Sequence, residues 1–92
     1  MRDTDELTAR HHKIIDHLCE PGGRLERAES DGVRWLVRSD KMARGYSIRE
    51  STAMFLAVRN IIRLYDSEWR ITPKGYRIRL EAEAARRRAV KR

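Results

Sequence analysis

The spacing of apolar positions changes repeatedly along this chain, and each change marks an element. Leu7, His11, Ile14, Ile15 and Leu18 recur at helical spacing, after Asp3 and Glu6 placed as a capping box. A first helix is expected from about residue 4 to Cys19, ended by Pro21, Gly22 and Gly23. From Arg24 to Arg38 the period becomes two: Val33, Trp35 and Val37 alternate with Arg34, Leu36 and Arg38. Asp31-Gly32 supplies the two-residue signal of a type I′ hairpin. That turn sets Ser30 opposite Val33, Glu29 opposite Arg34 and Ala28 opposite Trp35, with one apolar and one charged face.

A polar stretch, Ser39 to Tyr46, precedes SIRESTAMFLAVRNIIRLY, which is too long for one strand and reads as a helix beginning between Ser47 and Ser51. Steps of about 100° put Met54, Phe55, Val58, Ile61 and Ile62 on one arc, the expected core side. Thr52, Ala53, Leu56, Arg59, Asn60 and Arg63 fall on the opposite, exposed arc. Leu64-Tyr65 and Trp69-Arg70-Ile71 then flank a turn at Asp66-Ser67.

The next residues, TPKG, are either a turn between two strands or the start of a helix. A turn leaves the final run LEAEAARRRAVKR without a capping residue. With Thr72 as cap, Pro73 occupies the first helical position, where its missing N–H costs nothing, and Tyr76, Leu80 and Ala84 form a stripe. The helix accounts for more residues. Ile78, Ala82, Ala85 and Ala89 make a second stripe on that helix, and a monomer needs only one, so a homodimer through the C-terminal helix is an expected partner arrangement.

Charge adds a ligand class. The 92 residues carry 21 Lys plus Arg against 14 acids, a formal charge of +7. The first 20 residues are net negative by two and the remaining 72 net positive by nine. A polyanion suits such a field, because each neutralised phosphate releases counterions. No apolar run reaches the roughly 18 residues of a membrane span, and the charged start MRDTDELT does not resemble a secretory leader. A soluble, cytoplasmic, nucleoid-associated protein is expected. Cys19, the lone cysteine, reads as a small buried residue. His11, His12 and His17 lack the paired spacing of a zinc site, and no phosphate loop or catalytic constellation is visible. Neither enzyme activity nor a cofactor is expected.

The order helix, hairpin, helix, two short strands and Thr-capped helix resembles a winged-helix domain, an α+β fold of order α-β-β-α-β-β-α. The run IIRLYDSEWRITPKG carries that likeness. Gly22-Gly23-Arg24 and Trp69-Arg70-Ile71, with HLCEPGGRLERAESDGV around the first, are similar to the small YjhX-like family. Its members are described as toxin-like, with topoisomerase inhibition suggested. The resemblance implies one winged-helix domain over residues 1–84 with a basic extension over 85–92. It further implies binding of double-stranded DNA as a transcriptional regulator or accessory factor. The alternative is an inhibitor with a protein target, a DNA-processing enzyme.

In a winged helix, Arg59 and Asn60 would read base edges in the major groove, and Thr52 would meet phosphate or a thymine methyl. Arg49 and Arg63 would hold backbone phosphates. Arg70 would reach phosphate or the minor groove from the wing, and Lys74 would hold phosphate beside the last helix's free amides. Leu56, central on the exposed arc, would touch a thymine or a second protein.

Overall fold

The computed structural model describes residues 6–28, 34–42 and 44–90. Three helices and a five-stranded antiparallel sheet make an α+β fold. In chain order the elements are α1 (Ala9–Leu18), β1 (Arg24–Ala28), β2 (Arg34–Arg38), β3 (Tyr46–Arg49), α2 (Glu50–Val58), β4 (Ile62–Tyr65), β5 (Glu68–Ile71) and α3 (Pro73–Val90). Across the sheet the order is β3-β2-β1-β5-β4. The observed sequence of elements is thus α-β-β-β-α-β-β-α, with one strand more than expected.

Helix α1 starts later than its periodicity suggests. Thr8 is the cap: its hydroxyl accepts from the His11 backbone N–H, and His11 Nδ1 accepts from the Thr8 N–H at 3.1 Å. The expected Asp3 cap lies outside the described residues. Ile14, Ile15 and Leu18 are fully buried, as their spacing requires.

The β1–β2 register departs from expectation by one residue. Ala28 pairs with Arg34 and Arg27 with Trp35. The Asp31-Gly32 turn itself lies outside the described residues. Trp35 and Val37 still face the core together with Leu25. Strand β3 has no separate signal in the sequence because its two apolar residues, Tyr46 and Ile48, run directly into the helix that follows.

Helix α2 is the largest correction. It spans nine residues, and Asn60, with φ of 60°, ends it. The Asn60 N–H donates to the Ala57 carbonyl, and Ile61 N–H donates to the Leu56 carbonyl. These are the two bonds of a Schellman termination, in which asparagine tolerates the left-handed conformation. Ile61 and Ile62 therefore leave the helix and enter the core from β4. With the arc cut short, the buried side is Ala53 and Leu56, while Val58 is 82% exposed. Ala53 and Leu56, expected outside, are core, and Val58, expected inside, is at the surface; Ile61 and Ile62 are buried as expected, and Met54 and Phe55 pack partly buried against the core. In ESTAMFLAV apolar residues lie all round, so spacing alone could not select a side.

The last third follows expectation. Asp66 and Ser67 have φ of 44° and 68°, the positive values a type I′ turn demands, and Tyr65 pairs with Glu68 across it. Thr72 caps α3: its hydroxyl accepts from the Gly75 N–H at 3.2 Å and lies 2.6 Å from the Asn60 carbonyl. A side chain at Gly75 would collide with Ile71 and the Ile61 carbonyl, so glycine lets the new helix close on β4 and β5. Of the two stripes on α3, the structure buries Ile78 and half-buries Ala82; Tyr76, Leu80 and Ala84 face solvent. The helix continues unbroken through residues 84 and 85, where an extension was expected to begin.

One apolar cluster joins all three helices to one face of the sheet. Leu25, Trp35, Val37, Ile48, Ile62, Trp69 and Ile71 supply that face. The rings of Trp35 and Trp69 meet edge to face at 6.0 Å. Among the described residues, no helix is long and apolar enough to cross a membrane.

Candidate nucleic-acid interface

Alternation along a strand sends every second residue away from the helices. On β2 these are Arg34, Leu36 and Arg38; on β3, Ser47 and Arg49; on β1, Arg24, Glu26 and Ala28. On β5 and β4 they are Glu68, Arg70, Arg63 and Tyr65. None of them belongs to the apolar cluster, so the sheet's second face is open to solvent.

The pairing registers organise its charge. Arg24 lies directly opposite Arg38, Arg34 opposite Arg49, and Arg63 opposite Arg70. Leu25 pairs with Trp69, so one step further along the same strands sets Arg24 beside Arg70 and Glu26 beside Glu68. Arg38, Arg24, Arg70 and Arg63 therefore form a single row over four adjacent strands. At about 4.8 Å per strand the row is roughly 14 Å long. Arg34 and Arg49 form a second cationic row, four residues or about 13 Å away along β2.

Between the rows stand Glu26 and Glu68. Glu26 bonds Arg24 at 2.6 Å and lies 3.9 Å from Arg38; Glu68 bonds Arg70 at 2.9 Å. The hydrogen bond that Arg24 donates to Glu26 holds its guanidinium still more firmly in the charged form. Arg24 also donates to the Gly22 carbonyl at 2.8 Å. Two carboxylates against six guanidiniums leave the face strongly positive. Like charges directly opposite one another weaken a sheet, so three such pairs are a cost that the fold itself does not require.

The loop beneath the row is pinned. Ser39 Oγ donates to Glu20 at 2.7 Å, and His17 lies 3.1 Å from the same carboxylate; these bonds hold the Glu20 carboxyl below the usual range. The Asp40 N–H donates to the Pro21 carbonyl at 2.8 Å. Burial pushes the neighbouring Cys19 thiol up to about 11, so it stays protonated and unreactive at neutral pH. The described residues include no group of three or more side chains suited to a metal ion.

The expected site residues divide sharply. Arg49, Arg63 and Arg70 lie on the open face. Leu56 is completely buried and belongs to the core, not to a surface that a ligand could reach. Thr52 is half-buried on α2. Arg59 lies over the Phe55 ring at 3.5 Å, donates to the Phe55 carbonyl at 3.1 Å and pairs with Glu6, so its guanidinium ties α2 to the segment before α1. Asn60 is the helix terminator, and Lys74 Nζ donates to the Arg59 carbonyl at 2.7 Å. Arg24, Arg34 and Arg38 were not singled out; alternation had put Arg34 and Arg38 on a charged face, but their alignment with β4 and β5 depends on pairing residues more than 40 positions apart.

Compared with known proteins, the chain matches no family model, no curated protein and no solved structure.

Proposed function

We propose that this protein binds duplex nucleic acid, DNA in the first instance, and that it does so through the open face of the sheet rather than through α2. The observation that carries this reading is the row Arg38, Arg24, Arg70, Arg63, backed by Arg34 and Arg49. Phosphate groups would turn its unfavourable arginine pairs into favourable contacts. The separation of the two rows, about 13 Å, is close to the roughly 12 Å width of a major groove, so one row can follow each bordering strand. Single-stranded partners need successive aromatic platforms, and among the described residues this face offers Tyr65 alone.

The winged-helix resemblance keeps a narrower role in this proposal. A two-stranded wing, β4 and β5, leads into a Thr-capped helix, and the wing contributes Arg63 and Arg70 to the row. A regulator or accessory factor fits a surface that grips backbone. The test is an NMR titration of the full chain with a duplex of about 12 base pairs, long enough to cover the row. Shifts centred on β1, β2, β4 and β5 are expected; shifts confined to α2 would return the interface to the helix.

A further inference from the structure

Helix α3 is held only along its first half. Thr72, Gly75 and Ile78 lock it to the body, Arg79 reaches Asp16 of α1, and Ala82 is half-buried, but residues 84–89 are exposed all round. Eighteen helical residues span about 27 Å, so the outer turns project with little tertiary support, and short unsupported helices are marginal in water. Beside this projecting end lies a cleft of about 560 Å³ bordered by His12 of α1 and by Ile78, Glu81, Ala85 and Arg88 of α3. A second groove continues it along α1 past Lys13 and Asp16 to Arg86.

The charges along this crevice differ from those of the sheet. Glu81 and Asp16 are interleaved with Lys13, Arg86 and Arg88, so the surface carries both signs in close proportion and suits a copy of itself better than a polyanion. Glu81 and Arg88 are seven residues apart, two turns along one face. A two-fold axis between Ala84 and Ala85 would lay two α3 helices antiparallel, with Glu81 of each copy against Arg88 of the other. The alanines at the crossing allow close approach.

We infer that the α1–α3 crevice is a self-association surface, occupied by α3 of a second copy in this reciprocal arrangement. A stable dimer needs about 600 Å² from each chain. That is roughly a tenth of the 6613 Å² surface. The inference is independent of nucleic-acid binding, since none of these residues lies on the sheet's open face.

Sedimentation equilibrium of the full chain tests it. From about 1 to 500 µM the mass should rise from 10.9 kDa toward twice that value. Glu81→Arg or Arg88→Glu alone should weaken association at least about tenfold by creating two like-charge contacts, and the double swap should restore it. Ala85→Arg, at an exposed helical position that tolerates the change, should also leave monomers, with helicity checked by circular dichroism. A mass of 10.9 kDa throughout the range would overturn the inference. So would a dimer unaffected by both single swaps and by Ala85→Arg.

Discussion

Arginines on the two sides of the sheet behave differently. On the helical side Arg59 is held by a ring face, a carbonyl and a carboxylate, and Arg79 lies between Asp16 and Glu83. Each joins segments that the chain must hold together. On the open side Arg34, Arg49 and Arg63 face other arginines, while Arg24, Arg38 and Arg70 share two carboxylates, Glu26 and Glu68, among the described residues. Residue type is the same on both sides, but one set is matched by partners across the fold, and the other outnumbers its carboxylates and leaves an excess of positive charge available to a ligand. Removing the first set should damage stability; removing the second should damage binding.

The sharpest way to break this contrast is to replace Arg24, Arg38, Arg63 and Arg70 together with alanine. Duplex DNA affinity at about 0.1 M salt should fall on the order of a hundredfold while the fold persists, as measured by fluorescence anisotropy and circular dichroism. Arg59→Ala should do the reverse. Loss of its cation–π contact and its hydrogen bonds should cost about 1–2 kcal/mol in urea unfolding, with DNA affinity nearly unchanged.

His11 extends the comparison to pH. Burial, then Arg59, holds its pKa below the ordinary 6.5. Its ring stacks on Phe55 at 4.4 Å, and Nδ1 accepts from the Thr8 N–H, so the neutral form is the one that caps α1. The unfolded chain therefore takes up the proton first. Stability present above pH 6.5 should decline as pH falls from there toward the lower folded value. His11→Gln, which keeps an acceptor at the capping-box position, should flatten that decline in thermal melts followed between pH 7 and 5. The smallest effect belongs to Glu26→Gln: with one carboxylate competitor neutralised, DNA affinity should rise a few-fold, measured by the same anisotropy titration.

What the sequence disclosed was local. The Thr72-Pro73 helix start, the Asp66-Ser67 turn and the buried stripe of α1 all follow from residues within a few positions of one another, and each is present in the structure. Asn60 was legible in principle, since asparagine is a frequent helix terminator, but an uninterrupted apolar run concealed it. That concealment made α2 too long and put Leu56 on the exposed arc as a reading residue when it is core. The β1–β2 register differs by one residue from the one read off Asp31-Gly32, because a turn signal alone does not fix how the strands beyond it pair. The arginine row was hidden for a different reason. It exists only after β1 has paired with both β2 and β5, and no nearest-neighbour pattern encodes that pairing.

The central claim, that the open sheet face neutralises phosphates, is tested most directly by the salt dependence of duplex DNA affinity in wild type and in Arg63→Ala. If the four-arginine row and its two companions engage backbone, the plot of log affinity against log salt should have a slope of about −5, and Arg63→Ala should make it shallower by about 1. A wild-type slope near zero, or an Arg63→Ala slope equal to that of wild type, would contradict the account.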